Sequence, residues 1–215
     1  MFDGEKIMVT SRSAATARQP VASLRRRGSV LESAILEATL EALSTVGWNG
    51  LTMEGVAAGA QTGKAAIYRR WSSKEELVAE ALRSAMPAAG RAPDSGNIRD
   101  DLQQLCRGMR DAMWSTPGSA LRAVLHECDA STAERFQSVI LDGVIRPSTA
   151  LIKEVVSRGV ERGEVRPDAL GELAFDVIPA MMMYRTKVCG SEWDDAEIEA
   201  LIDQVAVPFF RSAPR

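Results

Sequence analysis

Residues 51–77 read LTMEGVAAGAQTGKAAIYRRWSSKEEL, and this stretch decides the fold. Thr52 stands where a helix N-cap belongs, ahead of Met53, Val56, Ala57 and Ala60, which recur at helical spacing. Gln61-Thr62-Gly63 interrupts the pattern, and Thr62 is placed to cap a second short helix over about 63–71. Ser73 and Glu76 then have capping-box spacing and open a third helix through Leu77, Val78, Ala81, Leu82 and Ala85. Pro87 and the loop-like segment 88–96 end it. Two short helices joined by a three- or four-residue turn make a helix-turn-helix. Ile67 and Trp71, four apart, give the second short helix an inner face. Gly63, Ala65 and Ala66 are small enough to let its backbone approach a groove. Thr62, Lys64, Tyr68, Arg69 and Arg70 offer hydrogen bonds and positive charge to a nucleic acid.

Upstream, Val30, Leu31, Ala34, Ile35, Ala38, Leu43 and Val46 keep helical spacing. They predict a helix over about 29–46, with Ser29 and Glu32 as its capping box and Gly47 as its stop. Residues 1–28 lack periodicity and end in Arg25-Arg26-Arg27. That run is either a solvated tail or a basic arm lying on DNA phosphates or in a minor groove. Downstream, helical stretches are expected near 97–115, 119–129, 132–161, 168–188 and 194–210. Pro147 should break or kink the third of these, and Pro179 should bend the fourth. No segment alternates as a strand, so the class is all-α.

The composition excludes several classes. The 215 residues are 46% apolar and 26% charged, as in a globular chain. Net charge is −3, but residues 1–74 hold ten Lys/Arg against six Asp/Glu, whereas the rest hold 16 against 23. A basic module on an acidic body is the natural reading. The uncharged run from Val177 to Tyr184 is far shorter than the ~20 residues that span a bilayer. The first residues carry no secretory pattern, and Cys106, Cys128 and Cys189 are odd in number and widely spaced, which fits a reducing cytoplasm. The single histidine, His126, cannot build a histidine metal site, and His126 and Cys128 point apart on one helix. No nucleophile elbow, P-loop or dinucleotide motif occurs. Neither a catalytic site nor a metal or cofactor is expected.

The stretch from Ala34 to Leu77 resembles the DNA-binding domain of TetR-family transcriptional regulators. The residues that carry the resemblance are Ile35, Ala38, Leu43, Gly47, Leu51-Thr52-Met53, Val56-Ala57, Ala60, Lys64 to Tyr68, Trp71 and Ser73 to Leu77. Arg162 to Asp168 also looks like the family's turn ahead of its dimerising helices. The chain departs from the pattern at Gln61, where the turn usually carries glycine. A non-glycine residue held at positive φ costs on the order of 1 kcal/mol. Gly55 and Gly59 weaken the first short helix by about 1 kcal/mol each relative to alanine.

The resemblance implies a DNA-binding domain over 29–75, behind the arm of 1–28, and an effector-binding and dimerisation domain over 76–215. It implies phosphate contacts from Thr52, Thr62, Gly63, Tyr68 and Lys74. Lys64 would reach a phosphate or base edge, Ala65 and Ala66 the thymine methyls, and Arg69 and Arg70 the backbone or a guanine edge. An effector pocket is implied between the later helices. Leu105, Met109, Met113, Trp114, Leu125, Phe136, Ile140, Met182 and Tyr184 are candidates to line it, and their character favours a small apolar or aromatic molecule. The last two helices would pair two copies, so that the homodimer reads a palindromic double-stranded DNA operator. The expectation is a cytoplasmic repressor released by its effector. Its rivals are a small helical enzyme or lipid carrier with a purely structural helix-turn-helix, and an architectural DNA-binding protein without an effector.

Overall fold

The computed structural model describes residues 28–86 and 90–211. Arg25, Arg26, Arg27 and Pro87 lie outside them. Among the described residues every regular element is helical. The N-terminal part comprises α1 (Ser29–Gly50), α2 (Met53–Gly59), α3 (Lys64–Tyr68) and α4 (Lys74–Ala85). The body comprises α5 (Ile98–Trp114), α6 (Thr116–Glu127), α7 (Ala130–Ile140), α8 (Arg146–Glu161), α9 (Glu172–Cys189), α10 (Asp195–Leu201) and α11 (Val207–Phe210). No described helix is long and apolar enough to cross a membrane.

Local chemistry sets most boundaries. Thr52 accepts from the Gly55 amide at 3.0 Å, Asn97 from Asp100 at 2.8 Å and Asp129 from Thr132 at 2.8 Å. Each satisfies a helix-start donor that would otherwise lack a partner. Three expectations need correction. Ser29 does not cap α1: Gly28 occupies that position at φ 63°, and Glu32 lies 3.7 Å from Arg70 instead. Thr62 does not cap α3; Gly63 holds the cap position, with no side-chain bond. The box at α4 is shifted by one residue. Ser73 caps the Glu76 amide at 3.2 Å, but the Glu76 carboxylate turns back to the Ser72 amide at 2.7 Å. Gly47 does stop the straight rod of α1, adopting φ 72° before the turn to Leu51.

Pro147 does not break the helical run from Ala130 to Glu161. A wide π turn, Leu141–Ile145, precedes it and gives the proline ring the room that an α turn lacks. Pro208 is preceded in the same way by the π turn Ile202–Ala206. The helical run of α9 continues through Pro179.

The apolar residues form two cores. The first joins α1 to α4 with Ala120, Leu121 and Val124 of α6 and Phe136 and Val139 of α7. The second joins α5, α8, α9, α10 and α11 around Leu102, Val156, Ile178 and Ile198. The long run from Ala130 to Glu161 therefore bridges the cores, and its π turn lies where it leaves one for the other. Ion pairs lace α5 to the last helices, with Arg99–Asp203 at 2.7 Å and Arg110–Asp195 at 2.5 Å. Trp193 is buried at φ 58°, and its indole donates to the Met182 carbonyl at 3.2 Å. That packing holds a backbone conformation rare for a bulky residue.

Candidate nucleic-acid interface

The turn between α2 and α3 orients the site. The Thr62 amide donates to Ala57 at 2.9 Å and the Gln61 amide to Ala58 at 3.1 Å. Gln61 takes φ 53°, the left-handed conformation in which glycine is comfortable. α3 is then fastened from within. Ile67 and Trp71 are buried, and the Trp71 indole donates to Glu80 of α4 at 2.6 Å. This inner face forces the opposite one outward. Thr52, Gly63, Lys64, Ala65, Tyr68 and Arg69 are all exposed, Tyr68 to 45%.

Four expected contacts are placed differently. Ala66 is only 6% exposed, because it joins Ile67 on the inner face; it is not available to a thymine methyl. Arg70, just past the end of α3, donates back to the Ala66 carbonyl of that helix, 3.2 Å away. Lys74 is half-buried, donates to the Trp48 carbonyl at 2.7 Å and sits 4.1 Å over the Trp48 ring. It ties α4 to the last turn of α1, beyond the kink at Gly47. Thr62 is half-buried. The α3 helix has five residues, not nine, so its dipole is slight and charged side chains must supply the attraction.

One partner escaped the sequence reading. Glu54, in the first turn of α2, forms an ion pair with Lys64, and the Lys64 ammonium also lies 5.4 Å from the Tyr68 ring. The shared hydrogen bond holds the Glu54 carboxyl below the usual carboxylate range and the Lys64 ammonium above its usual range. An i, i+4 search within one helix does not find a pair that spans two.

The body is joined to this surface at both ends of α6. Ser44 of α1 donates to the Thr116 carbonyl at 3.1 Å, and the Asn49 amide donates to Glu127 at 3.0 Å. The nine candidate pocket residues do not come together. Leu125, Phe136 and Ile140 belong to the first core, whereas Leu105, Met109, Met113 and Met182 belong to the second. Trp114 and Tyr184 are open to solvent. Phe136 meets Trp48 edge-on at 5.5 Å, a junction between the body and the N-terminal helices.

No group of three or more metal-binding side chains occurs among the described residues. Burial pushes the Cys106 thiol up to about 12, whereas Cys189 is exposed. Iodoacetamide at pH 8 is accordingly expected to label Cys189 in the native protein and Cys106 only after unfolding. Equal labelling rates by mass spectrometry would contradict this burial.

Residues 35–81 match the family model described as bacterial regulatory proteins, tetR family, and residues 92–205 match the model described as tetracyclin repressor-like, C-terminal domain. An uncharacterised HTH-type transcriptional regulator of Mycobacterium tuberculosis is 32% identical over 181 residues, covering 82% of this chain and 86% of the relative. A DNA-binding transcriptional repressor TetR of Mycobacteroides abscessus is 31% identical over 194 residues, covering 88% and 98%. A crystal structure described as a TetR-family regulator from Mesorhizobium loti shares the fold, with a TM-score of 0.62 at 18% identity, covering 86% of this chain and 96% of that one.

Proposed function

The chain belongs to the TetR family of transcriptional regulators, and from that membership we propose that it is a homodimeric repressor that leaves a palindromic operator when a small apolar or aromatic effector binds. The observation that carries this reading is the two-faced recognition helix. Ile67 and Trp71 anchor α3, while Lys64, Ala65, Tyr68 and Arg69 face outward beside Thr52. Lys64 and Arg69 supply phosphate or guanine contacts, Ala65 an apolar contact, and Thr52 and Tyr68 hydroxyls for the backbone. Gly63 leaves room for close approach. Arg70 and Lys74 support the geometry from within, each with hydrogen-bonding capacity left for a phosphate.

The dimer is proposed to form through α9 and the helices after it. Leu173, Ala180 and Tyr184 make one exposed stripe on α9, opposite the buried Phe175, Ile178 and Met182. Two copies place two α3 helices on successive major grooves, about 34 Å apart. The effector would sit among Leu105, Met109, Met113 and Met182 in the second core. It acts by a population shift: displacement of α6, fastened to α1 at both ends, and of α4 changes the spacing of the two recognition helices. A preference of about 1.4 kcal/mol for the released state lowers operator affinity tenfold.

Selection from random duplex DNA tests this reading and should return a palindrome. On the recovered site Lys64→Ala and Tyr68→Ala are each expected to weaken binding about tenfold, with unchanged thermal unfolding, because phosphate and base contacts contribute about 1–3 kcal/mol each. Unchanged affinity in both variants would remove α3 from the interface. A compound that releases the selected DNA in a dose-dependent way would identify the effector class.

A further inference from the structure

The Glu54–Lys64 pair puts a negative charge on the face that should meet a polyanion. Neither partner is held by the fold. Their side chains are 59% and 53% exposed, and the pair is a surface one, worth little to stability. Its consequence lies in what Lys64 can do elsewhere. If Lys64 moves to a phosphate, Glu54 is left uncompensated beside the DNA. If the groove presents a base amine to Glu54 and a base acceptor to Lys64, both charges keep a partner. A cytosine N4 amine and a guanine O6/N7 edge provide that combination.

We propose that Glu54 is a specificity-determining residue: it withholds Lys64 from non-cognate phosphates and releases it at a half-site that offers a cytosine amine beside a guanine edge. This rests on the DNA-binding reading above and adds an acidic filter to it. The filter lowers affinity for all other sequences and so widens the ratio between operator and bulk DNA. That ratio, rather than the dissociation constant alone, decides occupancy in a genome.

The test uses the full chain, the duplex recovered by selection and a scrambled duplex of equal length. Glu54→Gln keeps the size of the side chain and one acceptor oxygen while removing its charge. It is expected to tighten binding to the scrambled duplex about tenfold and to steepen its salt slope by about 0.9, one more counterion released. Affinity for the selected duplex should change by less than about threefold, because a glutamine oxygen still accepts from the cytosine amine. In the double variant with Lys64→Met the gain on scrambled DNA should vanish, since the freed lysine produces it. Equal shifts on both duplexes, or no shift on either, overturn the filter. Failure of the wild-type chain to select any duplex would instead overturn the DNA-binding reading.

Discussion

Phe136→Ala is expected to lower stability by about 3–5 kcal/mol, the range for emptying a large aromatic site in a core. Phe136 is fully buried, and it meets Trp48 edge-on at 5.5 Å and 83°. Lys74 lies 4.1 Å over the same indole and donates to the Trp48 carbonyl at 2.7 Å. Trp48 is thus held between the body and α4. It belongs to the turn that begins at Gly47 and delivers Thr52 to the start of α2. Removal of the phenyl ring leaves a cavity in the first core, where α7 meets Trp48, and frees the turn that orients the recognition surface. The midpoint of thermal unfolding should fall by roughly 10 °C for a chain of this size. Operator affinity should drop even at temperatures where the variant stays folded. A cost below about 1 kcal/mol by urea titration would mean that the joint collapses without loss and carries no orientation.

The residues at this joint explain which features were legible in the sequence. Caps are local: Thr52 with Gly55 and Ser73 with Glu76 involve neighbours three apart, so their spacing is visible in the letters. The glycine-like turn at Gln61 followed from the family resemblance, whose pattern carries glycine at that position. The end of α3 was not visible, because Trp71 leaves the helix to reach Glu80 on α4, and nothing at Arg69 or Arg70 marks a stop. Ala66 was misplaced since a small residue suits a groove contact and a tight core contact equally. Lys74 looked free because its acceptors, Trp48 and Leu51, lie 26 and 23 residues away. The pocket candidates failed to converge because an apolar side chain carries no mark of which of two cores it joins. Pro147 signalled a break, and the chain widened one turn instead. Local chemistry was readable, while nonlocal partners required the fold.

The double change Leu173→Glu and Tyr184→Glu is expected to weaken operator binding by about 10²–10⁴-fold, the gain that linking two modules on one site supplies. Leu173 is 83% exposed and Tyr184 56% exposed, so neither change opens a core, and thermal unfolding of the monomer should hardly move. Both lie on the stripe of α9 that faces away from Phe175, Ile178 and Met182. Under two-fold symmetry each new carboxylate meets a copy of the same surface, so one substitution introduces repulsion twice. Light scattering should then report a monomer. A monomer retains its recognition helix, so its affinity for one half-site should match that of the scarce wild-type monomer at high dilution. The loss is therefore confined to the full palindrome and disappears when half-site duplexes are compared. A variant that remains dimeric would place the pairing surface elsewhere on the body. A monomer that binds the full palindrome with undiminished affinity would remove the need for two copies, and with it the symmetry argument for the operator.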